Sequence, residues 1–320
     1  MRRFFCWLIL GILGFTLVTG CHHFTSHNTS SLPKQQTAEC RMVKHNLGET
    51  CIPTSPQRVV TLHTSILAHV LALGIKPIGS TYLQAFTNNV EVPPYLKSYL
   101  TDIQVLGGYD PNLESLLYVK PDLIIGYDWE KKVYPLLAQI APTVLSQSHN
   151  SDDWQKIFKF VAEVLGRQDA AQQAWDRYHH RIAKLKAALG KQYQNQTISL
   201  VSISGGSIFS EVKGSFPDRI LKDVGLQRPA AQDVMAQANM MPISEEEIDK
   251  ADGDILFVGM MTTGDRQKLE DLKQKPLWQQ LRAVQHDRVY PVDYMTWRGF
   301  NILAADAIID DLFKYLVNTP

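Results

Sequence analysis

The stretch QDAAQQAWDRYHHRIAKLKAAL, residues 168–189, decides the fold. Ala, Leu, Ile and Trp recur along it on one apolar face, and neither Gly nor Pro interrupts it, so it reads as one uninterrupted helix. Gly190 supplies the stop, and Gly166 separates this helix from the helical pattern before it. At 1.5 Å per residue such a helix spans about 30 Å, enough to join two lobes side by side. On both sides of it the pattern changes to short apolar runs alternating with helical segments, the mark of α/β architecture. Before it, strands are predicted over 58–63, 77–81, 103–106, 122–127 and 143–146; after it, over 198–204, 254–259 and 289–293.

An internal repeat supports the two lobes. Asn112-Leu113-Glu114 leads eight positions later to Asp122-Leu123-Ile124-Ile125, and Ser244-Glu245-Glu246 leads likewise to Asp254-Ile255-Leu256-Phe257. Each unit reads as an N-cap, a two-turn helix and a buried strand. Glu114 and Glu246 share the second helical position. Complementing the helix dipole is one reading of them, but it does not explain why both halves carry the same residue.

The N-terminus reads as an address. Arg2 and Arg3 precede an uncharged run from Phe4 to Val18, signal-like in length and short for a membrane span. The run ends Val18-Thr19-Gly20-Cys21, a pattern similar to a bacterial lipobox, with Cys21 as the lipidated first residue; a plain cleaved signal is the alternative. The expected organisation is a signal peptide over 1–20, a polar tether over 21–39, an N-terminal lobe over 40–165, a connecting helix over 166–190 and a C-terminal lobe over 191–320. With Cys6 removed and Cys21 lipidated, Cys40 and Cys51 remain as an even pair in an oxidising compartment, bracketing a hairpin turn at 45–49, and a structural disulfide is expected.

Composition narrows the function. The chain holds 32 basic and 32 acidic residues, so no net field draws it to nucleic acid or anionic lipid. A 45% apolar content supports a core, and 4 Cys among 320 residues exclude a disulfide knot. No G-x-G-x-x-G, G-K-[ST], H-E-x-x-H, C-x-x-C or G-x-S-x-G motif is present, and nothing nominates a nucleophile with its base. Gly205-Gly206-Ser207, after a strand, is a weak candidate for an anion nest.

An ordered set of segments resembles a known family: residues 56–60 (PQRVV), 71–79 (LALGIKPIG), 111–114 (PNLE), 120–125 (KPDLII), 140–143 (IAPT), 252–258 (DGDILFV), 276–281 (PLWQQL), 288–290 (RVY) and 301–306 (NILAAD) after Trp297. Together, over 56–317, they are similar to the solute-binding lipoproteins of ABC importers for ferric siderophores. The resemblance implies two Rossmann-like α/β lobes joined by one long backbone helix, the class III periplasmic binding protein type. It implies a monomer on the periplasmic side of the cell membrane that closes over a ferric siderophore and delivers it to the membrane permease. It also assigns Glu114 and Glu246 to docking against permease arginines. Glu245 and Glu247 flank Glu246; the repeat offset selects Glu246, and Glu247 suits a capping box with Ser244. The chelate carries the iron, so neither a resident cofactor, a direct metal site nor catalysis is expected.

In open α/β sheets ligands sit beyond the carboxyl ends of strands. Those ends nominate His63, Tyr82, Tyr109, Tyr127, Trp129, Met260, Trp297 and Arg298 as ligand-binding residues, with Trp297 also matching a family position. Arg298 is the best placed cation for an anionic chelate, and Arg228 is a second. Some hydroxamate-binding members carry an arginine where this chain has Gly108, so hydroxamate recognition of that style is not expected unless another arginine replaces it. Alternatives on the same fold are haem, cobalamin or a bare metal ion. His63 stands at a place used by metal binders, but His149, His179, His180 and His286 do not obviously converge on it. An enzyme on a two-lobed scaffold is a further alternative.

Overall fold

The computed structural model describes residues 39–81, 92–147 and 154–318. The signal peptide, Cys21, the tether up to residue 38, Tyr82 and His149 lie outside the described residues.

The first strands, β1 (Cys40–His45) and β2 (Gly48–Pro53), form an antiparallel hairpin closed by the Cys40–Cys51 disulfide. Five strands then make the sheet of the first lobe: β3 (Val59–Thr61), β4 (Gly79–Ser80), β5 (Gln104–Val105), β6 (Leu123–Tyr127) and β7 (Thr143–Ser146). Their order is β5-β4-β3-β6-β7, all parallel. Helices α1 (Thr64–Ala72), α2 (Pro94–Lys97), α3 (Leu113–Val119), α4 (Tyr134–Ile140) and α5 (Trp154–Leu165) accompany them. Every residue of β6 is buried, which is why its sequence, LIIGY, is apolar throughout rather than alternating.

The expected long helix is α6 (Gln168–Leu189). It buries Ala171, Ala174, Tyr178, Ile182, Leu185 and Leu189, one stripe at helical spacing. The second lobe follows with β8 (Ile198–Ser204), β9 (Ser207–Glu211), β10 (Met240–Ile243), β11 (Ile255–Met260) and β12 (Val289–Asp293), in the order β10-β9-β8-β11-β12. Its helices are α7 (Phe216–Val224), α8 (Thr263–Lys273), α9 (Pro276–Gln279), α10 (Arg282–Gln285), α11 (Tyr294–Trp297) and α12 (Ile302–Leu312). The β8-β11-β12 part is parallel, whereas β9 and β10 run antiparallel.

Two details differ from expectation. Gly205 and Gly206 both have positive φ (58° and 76°) and close the β8–β9 hairpin, a turn for which paired glycines are suited. The Gly206 N–H meets Asp265 Oδ1 at 3.3 Å, so the anion nest is instead a hairpin turn facing a carboxylate. The second copy of the repeat keeps its offset, because β11 begins 132 residues after β6. Its helix, Glu245–Ala251, is however 3-10 in character, where the first copy, α3, is α-helical.

One apolar core runs from the hairpin through α5 and α6 to α12, so the backbone helix is packed against both lobes. Trp154, Trp175, Tyr178 and Phe216 make edge or tilted ring contacts with one another along this spine. Tyr178 donates from its hydroxyl to Asp223 at 2.7 Å, and Arg181 pairs with Asp306 and Asp310 of α12.

Candidate binding site

In each sheet the strand order reverses once, between β3 and β6 and between β8 and β11, and the loops at those points form a crevice. In the first lobe His63 ends the β3 segment and caps α1, its Nδ1 accepting from Ser65 N at 3.1 Å. Tyr127 ends β6, and its hydroxyl lies 2.6 Å from Ser65 Oγ, which in turn lies 2.7 Å from His63 Nδ1. Trp129 packs on both rings, at 5.3 Å from His63 and 4.7 Å from Tyr127. Desolvation by burial pushes the His63 pKa down to about 4, so its ring is neutral at physiological pH. Glu130 accepts from Tyr127 N at 3.0 Å and from the Trp129 indole, and burial pushes its pKa up to about 7.

In the second lobe Ser204, at the end of β8, donates to Met261 Sδ at 3.7 Å. After β12 the short α11 starts on an Asp293 cap and ends in Arg298, Gly299 and Phe300. Gly299 is confined there: a Cβ would lie 2.4 Å from Ala304 Cβ and 3.0 Å from Tyr95 Oη. The neighbouring Asn301 caps α12 and donates to Tyr95 Oη across the lobes at 3.0 Å.

These ends face each other over a cleft of about 360 Å³. The first lobe contributes His63, Tyr95 and Tyr109, and the second contributes Met261, Tyr294, Arg298 and Phe300. The lining is chiefly aromatic and apolar with a few polar atoms, as expected of a small-molecule site.

The expected residues separate into groups. His63, Tyr109 and Arg298 line the cleft, while Tyr127 and Trp129 stand behind or beside His63 as its packing partners. Trp297 is placed elsewhere than the expected wall: it is 4% exposed, packs in a tilted pair with Phe257 at 4.7 Å and donates its indole N–H to Asp311 at 2.8 Å. A one-residue step along the chain therefore puts Arg298 in the cleft and turns Trp297 into the core. Met260 is similarly buried as the last residue of β11, and its neighbour Met261 lines the cleft. Arg228 does not reach the cleft, because Asp218, the Ile198 and Glu211 carbonyls and Gln232 consume its guanidinium in a buried network. Arg298, expected as the best placed cation for an anionic chelate, lines the cleft but is ion-paired. Its Nη1 lies 2.8 Å from both carboxylate oxygens of Glu211, which is 2% exposed.

Tyr95, Phe300 and Glu211 were absent from the sequence-based set. Tyr95 follows a Pro-Pro pair rather than a strand, Phe300 is two residues beyond Arg298, where the loop considered ends, and Glu211 sits on the unforeseen β9. Phe300 also has φ of 51°, a left-handed conformation with no signal in a bulky side chain.

The paired glutamates occupy equivalent positions. Glu114 is exposed on the first turn of α3, whose cap Asn112 accepts from Ser115 N at 2.9 Å. In the second lobe Glu245 pairs with Lys268 and Lys275, and Glu247 pairs with Lys250 while accepting from Ser244 N. Glu246 is exposed and makes no ion pair among the described residues.

Two α/β lobes on one helical spine, opposed across a cleft of strand ends, define a bilobal solute-binding protein of the class III type. Residues 59–294 match the family described as periplasmic binding protein, and the chain belongs to that family. It is 29% identical to the probable siderophore-binding lipoprotein YfiY of Bacillus subtilis, over the whole of both chains. It is 30% identical to the Fe(3+)-citrate-binding protein YfmC of the same organism, over 96% of this chain and 95% of that one. Among solved structures, SirA of Staphylococcus aureus complexed with staphyloferrin B superposes with a TM-score of 0.74 at 25% identity, covering 86% of this chain and 98% of that one.

Proposed function

We propose that this chain is the solute-binding lipoprotein of an ABC importer, capturing a ferric siderophore between its lobes and delivering it to the membrane permease. The observation that carries the reading is the cleft itself, built from strand ends of both lobes and walled by rings suited to a bulky organic chelate. Relatives that bind siderophores and ferric citrate support it. Iron arrives inside its chelate, so the protein needs no resident cofactor and performs no catalysis. Cys21 anchors it to the outer face of the cell membrane, in keeping with a relative that is a lipoprotein. Glu114 and Glu246, one exposed carboxylate per lobe, meet arginines of the permease through charge-assisted hydrogen bonds.

Tryptophan fluorescence of the mature protein, titrated with ferric chelates, haem, cobalamin and Zn²⁺, tests the cargo. Trp129, packed on His63 beside the cleft, is the reporter. Saturable quenching by a ferric chelate is expected. A response to haem, cobalamin or Zn²⁺ alone overturns the siderophore reading.

A further inference from the structure

We propose that the cargo is a ferric chelate of low net charge, neutral or singly charged, rather than a multiply anionic one. This inference rests on the siderophore reading and names the chemical class that this cleft takes.

Arg298 is the sole Lys or Arg among the described residues lining the cleft. Its charge is already met: both oxygens of Glu211 lie 2.8 Å from Nη1, and the Glu211 side chain is 3% exposed. Glu211 is fixed in turn by the Ser202 hydroxyl, which donates to Oε1 at 2.8 Å, and its backbone carbonyl is held by Arg228. Drawing Arg298 away to an anionic cargo would leave a buried carboxylate without its counter-charge, which is strongly unfavourable. Asp293, close enough to Tyr95 to bear on its ionisation, adds negative rather than positive character. His63 is neutral at physiological pH, so it supplies no cation either. Lys131 and Lys132, on the turn after β6, are absent from the cleft lining. Residues 82–91 and 148–153 contain neither Lys nor Arg.

What the cleft does offer is stacking surface. The Arg298 guanidinium lies 5.3 Å from the Phe300 ring and 5.9 Å from Tyr294, presenting a planar, charge-compensated face with aromatic neighbours. Three hydroxamates neutralise Fe(III), whereas three catecholates leave three negative charges. The first kind of complex matches a cleft with aromatic walls and, among the described residues, no spare Lys or Arg. This separates the chain from its ferric-citrate-binding relative in cargo charge.

Equilibrium titration of the mature wild-type protein with a set of neutral or singly charged ferric chelates, a ferric tris-catecholate and ferric citrate tests this without mutation. The best low-charge chelate is expected to bind at least roughly tenfold more tightly than either anionic one. An anionic chelate that binds tighter than every low-charge one overturns the inference and leaves the siderophore reading standing. Failure of every ferric chelate, with haem or cobalamin bound instead or nothing bound at all, overturns that reading and takes this inference with it. In Glu211→Gln, Arg298 loses its counter-charge, and the affinity ratio is expected to shift roughly tenfold toward the anionic chelates. An unchanged ratio in the folded variant overturns the role given to the pair.

Discussion

Trp297 and His69 show how far a side chain's type underdetermines its work. An indole at a strand end suits a ligand wall, yet Trp297 points back onto Phe257 and satisfies its N–H on Asp311. Trp297→Ala therefore removes a core ring: stability to urea should fall by about 3–5 kcal/mol, with chelate affinity of the folded protein unchanged. Lost affinity at intact stability would return Trp297 to the cleft wall. His69 is fully buried in α1, stacked on Phe158 at 5.2 Å, and neither ring nitrogen makes a hydrogen bond of standard geometry. Burial holds its pKa at about 3, only partly offset by the Phe300 backbone. A depressed folded pKa means that the unfolded chain binds the proton first, so the contribution is full above about pH 6.5 and declines as pH falls toward 3. Between pH 7 and 4.5 the wild type should lose about 2–3 kcal/mol relative to His69→Leu. Glu130, with its raised pKa, works in the opposite direction but is common to both proteins. Parallel stability curves would show that His69 titrates normally.

The β1–β2 hairpin is a staple on the first lobe. Its turn donates Asn46 N to Leu145 O of β7 at 3.1 Å, and Arg41 donates to the Glu163 and Val164 carbonyls at the end of α5. The disulfide closes a short loop, with a sequence separation of 11, so the chain-entropy model assigns it about 2–3 kcal/mol. The Cys40→Ser/Cys51→Ser protein should unfold at lower denaturant by that amount and bind chelate normally, because the hairpin contributes nothing to the cleft lining. A binding defect at unchanged stability would contradict the staple. The loop between α11 and α12 contrasts with this hairpin. Gly299, Phe300 and Asn301 lie where α12 meets Tyr95 of the first lobe, so cleft wall and inter-lobe contact are made by the same few residues.

Across the molecule, the cleft and the two paired glutamates are spatially distinct. The cleft lining contains neither Glu114 nor Glu246, and both carboxylates are exposed. If they only complement helix dipoles, Gln replacements cost a few tenths to about 1 kcal/mol and leave transport alone. If they dock the permease, the Glu114→Gln/Glu246→Gln protein binds its chelate with wild-type affinity and supports no uptake. Iron uptake in cells carrying the double variant, beside chelate titration of the purified protein, separates the two. Normal uptake refutes docking by these residues, and weakened chelate binding places them in the cleft.

Local chemistry wrote much of this into the residue order. Period and Gly stops marked α6, apolar runs marked the parallel strands, and the 132-residue offset singled out Glu246 from its neighbours. These features are legible because backbone propensity and burial act over a few residues. The β9–β10 extension was missed because its glycine turn also suited an anion site. The cleft's inventory and its charge were decided only in three dimensions. Which of Trp297 and Arg298 faces the cargo depends on how α11 docks between β12 and α12, and whether Arg298 is available depends on Glu211, 87 residues away in the chain. Electrostatic compensation and the direction of a side chain depend on neighbours that only packing brings together, and no local pattern encodes them.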